Sequence, residues 1–285
     1  MSALDGLDQM LGSGGLKEAA EAELSFVTEL IAHAVYDSAT GTRLHGLAAV
    51  AADLSGWIAY DCGDTAASAA HYRMALAAAG SSGSPELQAY VTGAIADWYC
   101  DEGHPRAALD LLETIDMDQW SGRLNERTAA FLQGSSAFAH ALLGQTAACE
   151  RDLEMAQLTL LQDSGVEGTF LNSWFTQSRL ELWSGQALLS LDRPRQALRH
   201  YEVLDTGAYP VAENPRAAAL HLTRAAMSQL RLGELEAAVA CAGRAQELLE
   251  GVESARTSAF MASLRCALAG YQDVRAVREF LNPPR

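Results

Sequence analysis

Apolar and polar residues follow one another along this chain with the period of an amphipathic helix, and one phrase of that pattern returns five times. It is a long apolar-periodic segment, a small residue, a short polar turn, and a second segment with a small residue early and an apolar one later. The turns are Gly63-Asp64, Gly103-His104, Gly144-Gln145, Asp192-Arg193 and Gly233-Glu234, spaced by 40, 41, 48 and 41 residues. Seven residues before each turn stands Gly56, Ala96, Ala137, Gly185 or Ala226, and five after it Ser68, Ala108, Cys149, Ala197 or Ala238. Nine after it stands Tyr72, Leu112, Leu153, Tyr201 or Ala242, and twelve after it Ala75, Ile115, Ala156, Leu204 or Ala245. The physics is that of a helical hairpin. Small residues let its two helices approach, and the larger residue fills the gap against the next unit. Glycine supplies the left-handed conformation that ends the first helix. Pro105 and Pro194 suit the first turn of a second helix. No hairpin buries its apolar face alone, so neighbours must stack.

The pattern resembles the tetratricopeptide repeat (TPR), whose unit of about 34 residues is shorter than the copies here. The resemblance covers residues 43 to 250. It implies an all-α fold: a right-handed α-solenoid of five TPR-like hairpins, over 43–80, 86–116, 121–162, 168–205 and 214–250. Capping helices are expected at both ends. Leu16 to Tyr36 places Leu24, Val27, Leu30, Ile31 and Ala34 on one face, and 254–281 reads as a last helix pair before Asn282-Pro283-Pro284. The expectation is about 13 helices, no sheet, and a single domain over 16–285 behind a flexible 1–15. Irregular stretches are expected at 81–85, 163–168 and 206–214. A globular helical bundle is the competing architecture.

Composition agrees with helix. Ala occurs 53 times and Pro only 7. The net charge of -16 argues against direct nucleic-acid binding and against docking on anionic lipid, both of which need basic residues. No apolar run of about 18 residues escapes a charged or polar break. The first ten residues lack the basic start and apolar stretch of a signal peptide, so a cytoplasmic protein is expected. Cys62, Cys100, Cys149, Cys241 and Cys266 are far apart and form no CxxC, which suits small buried helix residues in a reducing compartment. The only histidine four residues from another His or Cys is His104, across the Gly103 turn from Cys100, and no GxSxG, P-loop or GxGxxG occurs, so neither metal nor cofactor is expected.

A second resemblance rests on three stretches: Gly12-Ser13-Gly14-Gly15, Tyr36-Asp37-Ser38-Ala39-Thr40-Gly41, and Leu54-Ser55-Gly56-Trp57-Ile58-Ala59-Tyr60-Asp61-Cys62-Gly63. Together they are similar to the C-terminal repeat region of actinobacterial helix-turn-helix transcriptional regulators. The nearly Lys-free, Ala- and Arg-rich composition fits that source. Those regulators carry a DNA-binding domain ahead of the glycine run, whereas eleven residues precede Gly12 here, so DNA binding is not carried over. The resemblance implies a non-enzymatic protein with a regulatory, transcription-related role.

In the repeat family the first helix of each unit lines the concave face. Carried over position by position, this marks Asp53, Trp57, Tyr60 and Asp61, then Tyr90, Asp97 and Asp101, then Phe131 and Phe138, then Arg179. The fifth unit gives Leu220, Thr223, Met227, Leu230 and Arg231. Four aspartates interleaved with aromatics at helical spacing suggest a peptide, protein or amine-bearing small molecule, with its cationic end toward the first two units. The same aspartates also read as solvated charges and the aromatics as interhelical packing. A third reading makes the groove an active site, with the Asp97/Asp101 pair as the acid–base candidates. Homodimerisation through an exposed terminal unit is left open.

Overall fold

Each helix starts and stops on a local signal. Asp37, Asp64, Ser84, Asn125, Thr176 and Ser254 stand just before helices, and their side chains accept hydrogen bonds from backbone N–H groups of the first turn. At the five turns of the repeat, Gly63, Gly103, Gly144 and Gly233 have φ between 70° and 82°, and Asp192 takes the same left-handed conformation at 56°. Across each turn one bond recurs: the N–H of Asp64, His104, Gln145, Arg193 or Glu234 donates to the carbonyl of Ala59, Tyr99, His140, Leu188 or Gln229, at 2.7–3.0 Å. Five turns of one geometry satisfy the orphan carbonyls of five helices.

The computed structural model describes residues 7–8, 12–115, 123–163 and 173–282. They form thirteen α-helices: α1 Lys17–His33, α2 Ser38–Asp61, α3 Thr65–Ser82, α4 Pro85–Asp101, α5 Pro105–Leu112, α6 Glu126–Leu142, α7 Thr146–Leu161, α8 Gln177–Ser190, α9 Pro194–Tyr201, α10 Pro215–Arg231, α11 Leu235–Leu248, α12 Ala255–Leu268 and α13 Arg275–Leu281. Short 3-10 turns follow α9 and α12. Among the described residues there is no strand, only one parallel bridge between Gly12 and Glu253. The fold is therefore all-helical, as expected. The expected loop at 163–168 and the prolines after Asn282 lie outside the described residues, Asp163 excepted.

The helices pack as antiparallel neighbours: α2 with α3, α4 with α5, α6 with α7, α8 with α9 and α10 with α11. The second, third and fourth pairs meet chiefly through their first helices, α4 on α6 and α6 on α8, whereas the first pair meets the second mainly at α3 on α4 and the fourth meets the fifth mainly at α9 on α10. Within a pair, glycine and tyrosine trade volume. A Cβ on Gly56 would lie 3.0 Å from the Tyr72 ring, and one on Gly185 would lie 2.7 Å from that of Tyr201. Where the ring is replaced by Leu112, Leu153 or Ala242, the facing position is alanine. The large residue thus fills its own hairpin, and Tyr72 also reaches Trp98 of the next, with ring centroids 5.5 Å apart. Cys100, Cys149 and Cys241 are buried as expected, whereas Cys266 is exposed. No described helix is long and apolar enough to cross a membrane.

Part of the N-terminal stretch packs against the helices. Asp8 and Ser13 are fully buried, and the Ser13 N–H donates to the Glu253 carbonyl at 3.1 Å. The reason is α12, which packs back against α2. Residues 12–15 lie between the start and the end of the helical array.

Candidate functional site

The first helices of the five hairpins, joined by α12, line a cavity of about 240 Å³ that is partly open to solvent. Ten of the eleven residues singled out from the sequence line it: Asp53, Trp57, Tyr60 and Asp61 from α2, Tyr90, Asp97 and Asp101 from α4, Phe131 and Phe138 from α6, and Arg179 from α8. Arg231 does not. It sits at the end of α10, pairs with Asp192 at 3.1 Å and donates to the Leu189 carbonyl at 3.0 Å, tying two turns together away from the cavity.

The acidic half of the cavity is not open to a cation in the way the sequence suggested, because arginines from the far end of the chain reach it. Arg216 of α10 donates to Asp8 at 2.5 Å, to Ser13 at 2.9 Å and to Asp61 at 3.3 Å. Asp61 also accepts from the Ser254 hydroxyl at 2.8 Å, and Asp8 accepts from the Trp57 indole at 3.0 Å. Arg256 of α12 pairs with Asp101. The Trp57 ring lies between these two guanidiniums, 5.2 Å from that of Arg216 and 5.4 Å from that of Arg256. Tyr60 also lies under Arg256, and burial raises its phenol above the ordinary range.

Asp97 behaves differently. Burial holds its carboxyl well above the usual carboxylate range. Its Oδ1 is buried without a hydrogen-bond partner. Two of the four predicted aspartates, Asp61 and Asp101, are thus paired with arginine, and burial disfavours the charged form of a third, Asp97.

The middle of the cavity is aromatic. Phe131, 2% exposed, packs within 6 Å of Tyr90, Trp174, Phe175 and Trp183. Gly93 makes room for it, since a Cβ there would fall 2.5 Å from the ring. Arg179 lies over Trp174 and Tyr209, at 5.3 and 5.6 Å.

The remaining wall comes from α10, where the sequence register was turned. Arg216, Ala217, Leu220, His221 and Arg224 face the cavity, one stripe at helical spacing. Thr223 is instead buried against its own helix, with its hydroxyl donating to Ala219, and Met227 packs into the core of the last hairpins. Burial and the positive charges of Arg224, Arg179 and Arg256 push the His221 imidazole well below its ordinary pKa, so it is neutral. Among the described residues no group of His, Cys, Asp or Glu could hold a metal ion. Sequence reasoning missed Arg216, His221, Arg224, Arg256, Trp98, Trp174 and Trp183, all lining residues. The only signal available was the alternative stripe 216/220/224 on α10.

Comparisons with protein-family models, with curated proteins and with solved structures find no match to this chain.

Proposed function

We propose that the chain is a non-enzymatic binding protein of the tetratricopeptide type, whose five hairpins form a short superhelix closed on itself around one small organic molecule, in a regulatory role. The observation that carries this is the closure. Buried pairs join α2 and α4 to α10 and α12 across the cavity, at Arg216–Asp61 and Arg256–Asp101. A peptide lying along a groove needs open ends and adds about 3.3 Å for each extended residue. A cavity of about 240 Å³ walled by aromatic rings instead suits a small amphipathic ligand. Native mass spectrometry of the protein purified from its own cells, beside the Trp57→Ala variant, tests the reading. A bound small molecule carried by the wild type and lost from the variant supports it. Peptides recovered equally with both proteins would oppose it.

A catalytic reading is favoured by one observation. Asp97, its carboxyl pushed up by burial, stands four residues from Asp101, which is paired with an arginine, and two carboxyl groups in different environments are the arrangement of an acid and its partner. Consumption of a component of a metabolite extract by the wild type and not by Asp97→Asn would decide for it.

A further inference from the structure

Two of the arginines that line the cavity differ from the rest. Arg216 has Asp8 and Asp61, and Arg256 has Asp101. Arg224 is 5% exposed, yet no carboxylate among the described residues pairs with it, and its guanidinium rests 4.9 Å over the Phe260 ring. Arg179 also has only aromatic faces, those of Trp174 and Tyr209. One turn before Arg224 stands His221, 2% exposed, whose Nδ1 has no hydrogen-bond partner. An uncompensated buried cation is costly, and so is an orphaned polar atom beside it. Burial and the nearby Arg256 push the Arg224 pKa down to about 10, which still leaves it charged at neutral pH. The C-terminal half of the cavity therefore carries positive charge without a carboxylate partner among the described residues, while Asp61 and Asp101 of the other half are already paired with arginine.

We propose that Arg224, with Arg179 and His221, is the anion site of the cavity, and that the ligand is a small aromatic acid whose carboxylate meets these three side chains and whose ring lies on the Trp174, Trp183 and Phe131 wall. The proposal rests on the ligand-cavity reading above and specifies the ligand's charge. A guanidinium offers the planar fork that a carboxylate accepts. In its Nδ1–H tautomer, neutral His221 adds a donor without adding charge. Arg179, stacked on two rings, can turn its free edge toward the same group. The aromatic wall provides the apolar contact typical of such pockets.

The test uses three probes with one ring system: 2-naphthylacetic acid, 2-naphthylacetamide and 2-(2-naphthyl)ethylamine. Each is titrated into the intact protein by calorimetry and by quenching of tryptophan fluorescence. The acid should bind at least about tenfold more tightly than the amide, about 1.4 kcal/mol, and the amine should bind weakest. Arg224→Met should bring the acid down to the level of the amide and leave the amide unchanged, and Arg179→Met should act in the same direction. Arg231→Met, away from the cavity, should change nothing. Without ligand, Arg224→Met should unfold at a urea concentration no lower than the wild type, because it removes a charge that nothing matches. Equal binding of acid and amide, or tighter binding of the amine, overturns the acid site and leaves the cavity reading standing. Binding of none of the three overturns both. A large loss of stability in Arg224→Met would show that the arginine holds the fold, and would also overturn the proposal.

Discussion

Replacing Arg216 with methionine should do more damage than replacing any exposed arginine, and the damage should start at one place. The guanidinium is 4% exposed and its partners Asp8 and Asp61 are 0% and 1% exposed. Methionine keeps much of the side-chain volume but leaves two carboxylates facing each other without a cation. Asp8 would retain the Trp57 and Ser13 donors, and Asp61 would retain Ser254. Hydrogen bonds from neutral donors do not replace the charge. Removing one partner of a buried ion pair costs about 3–5 kcal/mol. Urea unfolding followed by circular dichroism measures this, with Arg199→Met as the exposed control. Neutralising the whole cluster in the triple variant Asp8→Asn/Asp61→Asn/Arg216→Met should recover most of the loss, because a buried ionic cluster replaced as a unit is often near neutral. Hydrogen exchange adds the location. Amides of residues 12–16 and of α12 should exchange first in Arg216→Met, since this cluster fastens them to α2, while α6 and α7 should keep their protection. An Arg216→Met variant within about 0.5 kcal/mol of the Arg199→Met control would refute the closure, because that is the range of ordinary surface substitutions.

Three further outcomes follow from the cavity walls. Gly93→Ala places a methyl 2.5 Å from the buried Phe131 ring and should cost about 1–3 kcal/mol in urea unfolding, more than Gly134→Ala, whose methyl would meet Trp183 at 3.2 Å; equal costs would contradict the packing. Asp97 keeps in the folded state a proton that the unfolded chain releases above about pH 3.9, so its contribution to stability is largest in acid and declines as pH rises. The stability of Asp97→Asn relative to wild type should therefore increase with pH from about 4 upward, and a constant difference between pH 4 and 7 would refute the protonated carboxyl. His221 has the opposite sign: its folded pKa is depressed, so the stability it confers is complete above the unfolded value of about 6.5 and is lost as pH falls below it. His221→Gln should flatten the pH dependence of the urea midpoint between about pH 7 and 5, and an unchanged slope would contradict a neutral, buried imidazole.

The hairpins were legible because every signal that makes them is local. A turn glycine, a small residue seven places before it and a bulky one nine places after it all act within a single unit. Even the exception at Asp192 keeps the left-handed turn. The lining of α2, α4 and α6 was legible for a related reason. Consecutive units repeat one register, so Asp53, Trp57, Tyr90, Asp97, Phe131 and Phe138 could be placed on a shared face from spacing. On α10 the register failed. The rule chose Leu220, which lines the cavity, but also Thr223 and Met227, in whose place the structure turns His221 and Arg224 inward.

The electrostatics failed for a deeper reason. Reading a repeat treats its units as interchangeable and its ends as free, so each aspartate is assigned the charge of an isolated residue. Asp61 and Arg216 are 155 positions apart, as are Asp101 and Arg256, and no pattern of short period connects them. They meet because α10 and α12 pack back toward the first hairpins, with α12 against α2. Once they do, acids that looked like bait for a cation become internal partners. Among the described residues no carboxylate pairs with Arg224, and the anion site proposed there has a polarity opposite to the one the aspartates of the first two hairpins suggest.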